Sequence, residues 1–342
     1  MIAAVTGATG HVGTTLIRTL LGQGYTVRAL VHHGAQGLDG LNVERTKTDI
    51  ADPAGLIAAF RGVDVVFHTA ARISITAGDA DAVRAVNIEG TRNVLAACRE
   101  AKVGRLVHFS SIEALEPYPL DSPVDEGRPF VTHRSGSPYA VSKATAESAV
   151  RAAIDEGLDA VVINPTAIIG PFDVRPSLLG QAVISIATGR IPALVDGGFD
   201  WVDVRDVAET AIRAAETAPA GARYIVGGRW ASMKELAELV CDSAGGRPPT
   251  LMCPFFLAEA WAPIATGLAR VAGRAPLFTT YTLRVLRGNR NVSHARAARE
   301  LGYTPRDLRT TVEETCGWFR DRGLLSPAAT PVSKSRAASE AR

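Results

Sequence analysis

Tyr139 and Lys143 stand four residues apart in the run Pro138-Tyr139-Ala140-Val141-Ser142-Lys143, so on a helix both side chains leave one face. A free phenol titrates near 10 and is a poor acid or base at neutral pH. An ammonium about one helical turn away favours the phenolate and lowers that value, letting the pair move a proton to or from a carbonyl or alcohol oxygen. Taken alone, such a spacing is more often a surface pair. Two further groups change that balance. Ser110-Ser111 closes an apolar run and offers hydroxyls that can hold a carbonyl, although a local serine turn or cap would account for one of them. Thr6-Gly7-Ala8-Thr9-Gly10-His11-Val12-Gly13 joins the first apolar run directly to a helical pattern. Glycines at this spacing let the backbone turn tightly and approach a pyrophosphate, which the helix N-terminus then receives.

These groups need a scaffold, and the pattern supplies one. Short, near-continuous apolar runs at residues 2–6, 26–31, 43–46, 63–68, 106–110 and 160–164 read as strands covered on both faces. Helical patterns at 12–22, 53–61, 79–101 and 139–156 lie between them. The alternation predicts βαβ units and an α/β, doubly wound parallel sheet, whose ligands gather at the carboxyl ends of the strands. After residue 165 the rhythm breaks at Pro165, Gly170, Pro171 and Pro176. Helices are expected near 178–188, 204–215, 232–244, 255–272, 279–287 and 310–323, with a strand at 223–226. The expected division is a dinucleotide-binding core at 1–165 and a smaller, mostly helical substrate-binding part at 166–325 that also completes the core. The tail at 326–342, rich in Ser, Ala, Pro and charge, is expected to stay disordered.

Ribose chemistry is read from the second strand. NAD sites usually carry an acid at its end, for the 2′-hydroxyl. No carboxylate occurs between Gly24 and Asp39, and the strand runs into His32-His33-Gly34. NADP is favoured, with NAD as the alternative. Arg28 falls on the same strand face as His32, or is a solvated surface residue.

Bulk properties exclude several classes. The 342 residues carry 37 Lys and Arg against 35 Asp and Glu, a net +2 that gives no bulk grip on nucleic acid. Cys98, Cys241, Cys253 and Cys316 form neither a disulfide framework nor a metal pattern and read as free thiols in a reducing compartment. The first strand begins at Ile2 and leaves no room for a signal peptide, and no apolar run is long enough for a transmembrane segment. A cytoplasmic protein is expected.

The chain resembles the extended short-chain dehydrogenases/reductases. The resemblance spans about residues 1 to 320 and rests on TGATGHVG (6–13), TDIAD (48–52), VVFHTAA (65–71), VNIEGTRNVL (86–95), VHFSSIEAL (107–115), SPYAVSK (137–143), INPTAIIGP (163–171) and WVDVRDVAE (201–209). Within that superfamily it is similar to the dihydroflavonol-reductase-like group and to epimerase/dehydratase-type proteins such as the hopanoid-associated sugar epimerases. The resemblance implies an NAD(P)-binding Rossmann fold with Ser111, Tyr139 and Lys143 as the catalytic set. Tyr139 would be the general acid/base, and Lys143 would lower its pKa and hold the nicotinamide ribose. It further implies Asp49 and Ile50 beside the adenine, Thr69, Ala70 and Ala71 along the cofactor, a structural Asn87, and Pro165, Thr166 and Ile168 over the nicotinamide. Relatives that bind NADP typically have Arg where His32 stands, and the glycine loop usually has an aromatic residue at His11. Flavonoid reductases carry an Asn shortly after the serine; here the chain reads Ile112-Glu113-Ala114-Leu115, which points away from a flavonoid.

Substrate contacts are expected from Ile73, Ser111, Glu113, Tyr139, Phe172 and Trp201, with the proline-rich stretch between Ser111 and Tyr139 as a lid or as surface decoration. The apolar stretch 251–273 could roof a pocket, pack the C-terminal helices, pair two copies or touch a membrane; Arg284, Arg287 and Arg290 could hold a diphosphate or be a solvated face. The leading reading is an NADP(H)-dependent reductase of a small ketone or aldehyde, or oxidation of the matching alcohol. The alternatives are a nucleotide-sugar epimerase/dehydratase with tightly held NAD and a non-catalytic NADP sensor. A homodimer through the helices at 79–101 and 139–156 is also expected.

Overall fold

The computed structural model describes residues 1–32, 34–74, 79–271 and 279–326. Five apolar strands, β1 (Ile2–Thr6), β2 (Thr26–Val31), β4 (Val65–His68), β5 (Arg105–Phe109) and β6 (Ala160–Pro165), join β3 (Glu44–Lys47) and β10 (Arg223–Val226) in one seven-stranded parallel sheet. Its order is β10-β6-β5-β4-β1-β2-β3. The progression reverses between β1 and β4, which opens a crevice at their carboxyl ends.

Alternation along the strands explains why both faces are covered. Ala3, Val5, Val65, Phe67, Val107 and Phe109 enter one core, while Ala4, Val66 and Leu106 enter the other. The first core is closed by α1 (His11–Gly22) and α7 (Val204–Thr217), through Leu16, Leu20, Val207 and Ile212. The second is closed by α2 (Pro53–Phe60), α4 (Gly90–Glu100) and α5 (Pro138–Asp155), through Phe60, Val94 and Val150. The edge strand β3 departs from the expected apolar run: three of its four residues are exposed, because only one neighbour covers it. Arg28 is turned away from the cleft, donating to Glu44 and to the carbonyls of Ala59 and Arg61.

The helix expected at 79–101 is three pieces: α3 (Ala80–Arg84), a wider π-helical turn (Ala85–Glu89) and α4. The wider turn carries Asn87, whose side chain holds the backbone of Arg72 on one side and the Ser142 hydroxyl on the other. Beyond β6 the irregular crossing contains β7 (Ala167–Ile169), followed by α6 (Leu178–Ala187), β8 (Ala193–Val195) and β9 (Gly198–Asp203). β7 and β9 form a second sheet with β11 (Arg229–Ser232), and α8 (Met233–Ala244) and α12 (Leu308–Asp321) pack there. β12 (Leu251–Cys253) pairs β8; α9 (Phe255–Val271), α10 (Thr280–Leu286) and α11 (Ala295–Leu301) complete the described chain. No helix among the described residues is long and apolar enough to cross a membrane. The tail expectation falls on residues 327–342, outside the described residues.

Candidate active site

The glycine loop leaves β1 at the crevice. Gly7 has φ +69, and a Cβ there would lie 2.6 Å from the Ala70 nitrogen; a Cβ on Gly13 would lie 2.2 Å from the Gly7 carbonyl oxygen. Bare backbone is therefore required on the floor of the turn. Thr6 and Thr69 bind it to the end of β4: the Thr69 hydroxyl donates to the Thr6 carbonyl at 2.7 Å, and Thr6 shares a 2.7 Å hydrogen bond with His68. Val12 packs against the first core behind the loop. Ala70 and Ala71 continue along the crevice wall. The loop, the N-terminus of α1 and the adjoining strand ends fit a dinucleotide, with the pyrophosphate at Gly7–Gly13.

Across the crevice, β4 and β5 are neighbours, so Ser110 and Ser111 stand about 10 Å from the glycine loop, two strand spacings away. Ser111 caps a short helical turn by accepting from the Glu113 amide at 3.2 Å. The Ser110 hydroxyl is buried without a hydrogen-bond partner. From the opposite side α5 begins, capped by Ser137 with Pro138 in its first turn. It presents Tyr139, Lys143 and, one turn further on, Glu147; all three are buried. The Ser111 hydroxyl faces the Tyr139 phenol closely enough to favour its ionised form. Lys143 donates to the Phe109 carbonyl at 2.7 Å, tying the helix to the end of β5.

The electrostatics differ from the expectation drawn from spacing. Tyr139 titrates well above the ordinary phenol range, because burial and the nearby Glu113 carboxylate disfavour the phenolate more than the Ser111 hydrogen bond favours it. Burial pulls Lys143 down to about 8, and Glu147 opposes that fall. Burial also pushes Glu113 up to about 7. Lys143 reaches a backbone carbonyl, and in this geometry the phenol holds its proton firmly.

Four residues that sequence patterns did not single out brace it: Glu147, Arg223, Asn164 and Tyr281. Glu147 receives Arg223 Nε at 2.7 Å and Asn164 Nδ2 at 2.9 Å; Asn164 also donates to the Ser111 carbonyl at 3.0 Å. Glu147 continues the Tyr139–Lys143 face by four residues, a charge on a face otherwise filled with small side chains, and that was the available signal. Tyr281, on α10, donates its hydroxyl to Glu113. Nothing local in the sequence connects those two.

A cavity of about 670 Å3 adjoins the trio, lined among others by Ile112, Glu113, Pro138, Phe199, Pro263 and Tyr281. Glu113, expected at the substrate, lines this cavity, and so does Thr166, expected over the nicotinamide. Pro165 ends β6 and Ile168 lies in β7 beside it. Two expected contacts are corrected. Trp201 is buried in the second core, donating Nε1–H to the Ala231 carbonyl; Phe199, two residues earlier on the same strand face and edge-on to the Trp201 ring, lines the cavity instead. Phe172 lies edge-on to Trp318 with the Arg18 guanidinium over its ring, away from the cavity. Ile73 is largely exposed and is not among the cavity residues. Part of the lid expectation stands, since Pro117 and Tyr118 line the cavity. Arg284 lines it too, whereas Arg287 stacks on Phe255 and Arg290 on Trp230. On the adenosine side, His32 contacts Asp49 at 2.7 Å and Ile50 packs on the second core; His33 lies outside the described residues.

Comparison with known proteins agrees with this geometry. Residues 3–227 match the sequence model of the NAD dependent epimerase/dehydratase family. The chain is 36% identical over 329 residues to the sterol demethylase protein B of Methylococcus capsulatus, covering 95% of this chain and 100% of that one. It is 33% identical over 336 residues to the 4-hydroxy-2-methyl-3-oxo-4-farnesyl-3,4-dihydroquinoline-1-oxide ketoreductase of Stigmatella aurantiaca, covering 96% and 98%. The crystal structure of gox2253 superposes with a TM-score of 0.84 at 34% identity, over 95% of this chain and 99% of that one.

Proposed function

The chain belongs to the NAD dependent epimerase/dehydratase family and is an NAD(P)-dependent oxidoreductase of the extended short-chain type; on that premise we propose that it reduces an apolar ketone with NADPH. The seating of the Tyr139–Lys143 face of α5 on the end of β5, where Lys143 reaches the Phe109 carbonyl beside Ser111, carries this reading. The cofactor, when bound, supplies hydride at nicotinamide C4. Ser111 donates to the carbonyl oxygen and fixes its direction, and Tyr139 gives that oxygen its proton as negative charge develops on it. The raised proton affinity of Tyr139 suits a group that must arrive protonated. Lys143, anchored on Phe109, places a positive charge below the phenol that offsets the phenolate left after transfer. Burial of the trio excludes water and strengthens each of these interactions.

The substrate class follows from the walls. Ile112, Phe199, Pro263 and Val285 give the cavity a mostly apolar surface, with Glu113, Arg134, Asp200 and Arg284 as the ionisable groups on its walls. Two relatives are named for a sterol and for a farnesylated quinoline ketone, in keeping with a bulky lipophilic substrate. The experiment is NADPH oxidation against a panel of apolar ketones with the wild type and Tyr139→Phe. Turnover is expected to vanish in the variant while NADPH still binds. Retention of more than about a tenth of the wild-type rate would remove Tyr139 from the mechanism.

A further inference from the structure

The end of β2 lacks the basic residue that would meet a 2′-phosphate, and the acid closest to it, Asp49, is engaged by His32. Positive charge arrives from elsewhere in the chain. The turn after β7 brings Arg175 onto the glycine loop, with Nη2 2.9 Å from the Thr9 hydroxyl and 3.5 Å from the Thr9 carbonyl. This turn is built to hold that position. Gly170 and Phe172 both adopt positive φ, +149 and +68, the second costly for a side chain of that size. Asp173 accepts from the Ser177 amide and hydroxyl, and His11 of the glycine loop reaches the Pro171 carbonyl at 2.9 Å.

Beside Arg175 lies a groove of about 540 Å3 between the loop that follows β2 and the C-terminal helix α12. Gln36 and Gly37 form one wall, and Arg18, Arg322 and Trp318 the other. Among the described residues none of Arg18, Arg175 and Arg322 has an ion-pair partner. Burial first, and then the like charge of Arg322, lower the pKa of Arg18. Arg18 Nε and Trp318 Nε1 are buried donors without acceptors. Asp39, the acid in the groove, is 80% exposed and pairs with Arg45 at 3.5 Å. A groove rich in unpaired donors, opening where the second strand delivers the adenosine ribose, suits a doubly charged phosphomonoester.

We propose that Arg175, backed by the charges of Arg18 and Arg322, is the binding site for the 2′-phosphate of NADP, replacing the usual residue at the end of β2. The inference rests on the NADP reading above and deepens it. Thr9 holds the guanidinium in place through one nitrogen, leaving the remaining N–H groups for phosphate oxygens.

The test is direct binding by calorimetry, without turnover. NADPH, NADH, adenosine 2′,5′-bisphosphate and 5′-AMP are titrated into the wild type, Arg175→Ala and Arg175→Lys, with thermal melting as the check on folding. Arg175→Ala should weaken NADPH and the bisphosphate on the order of 10–100-fold and leave NADH and 5′-AMP within about threefold. Arg175→Lys should recover part of the loss. Equal weakening of all four ligands would place Arg175 on the shared pyrophosphate and overturn the proposal. Undiminished preference for NADPH in Arg175→Ala would overturn it while leaving the NADP reading intact. A wild type that prefers NADH would overturn the NADP reading itself and the site with it.

Discussion

Replacing Glu147 with Gln probes one buried charge behind the site. The carboxylate is fully buried, 2.7 Å from Arg223 Nε and one helical turn from Lys143. Burial draws the Lys143 ammonium down to about 8 while Glu147 resists. Charges about 6 Å apart at an effective dielectric near 20 interact by roughly 3 kcal/mol, about a hundredfold in proton affinity. Neutralising Glu147 should therefore carry Lys143 to about 6, and Arg223, left without its partner, pushes the same way. In the reducing direction the ammonium is the useful form, so activity is present below its pKa and lost as pH rises through it. The alkaline limb of kcat/KM, near 8 in the wild type, should move toward about 6. At pH 8 the rate should fall on the order of 50-fold, and near pH 5.5 by less than about twofold. The assay is a pH–rate profile for ketone reduction in both proteins. A denaturant titration accompanies it, because breaking a buried pair costs about 3–5 kcal/mol. An alkaline limb unmoved in a folded variant would refute the idea that Glu147 sets the Lys143 charge.

Glu113 is held protonated up to about 7 by burial, so its contribution to stability is complete below the ordinary carboxylate value and is lost as pH rises through 7. Glu113→Gln should flatten that dependence and, allowing for its partial exposure, gain about 2 kcal/mol at pH 8, read as the urea midpoint at pH 5 and pH 8; equal pH dependence in both proteins would exclude it. Gly7→Ala forces a Cβ to within 2.6 Å of the Ala70 nitrogen at φ +69 and should weaken NADPH and NADH alike by more than about tenfold, measured by titration. Unchanged affinity would mean that the loop does not carry the pyrophosphate.

Parts of this molecule are written in local spacing. The glycine loop, the Tyr139–Lys143 face and the apolar strands all follow from rules that act over a few residues: helix periodicity, strand alternation and the tolerance of glycine for positive φ. They were sufficient for the sheet, the cleft and the position of the trio on it. The same rules misplaced Trp201, because alternation puts Phe199 and Trp201 on one strand face and only the second core decides that Trp201 is covered while Phe199 reaches the cavity. They also missed the bend at residues 85–89, where a wider turn serves Asn87 rather than any propensity.

What the tertiary structure alone decided is which distant groups share a dielectric environment. Asn164 meets Glu147 only because β6 lies beside β5 and under α5, and Tyr281 meets Glu113 across 168 residues of chain. The expected titration of Tyr139 is reversed as well, since burial and the Glu113 carboxylate outweigh the Ser111 hydroxyl while the Lys143 ammonium is turned toward a backbone carbonyl. Arg175 is the same case: the sequence marks it as one arginine in a proline-rich crossing, and only the folded turn sets it against Thr9. Charge interacts through space over several ångströms, whereas sequence patterns register neighbours along the chain, so the chain's own order named the candidate groups and the packing fixed which of them share an environment.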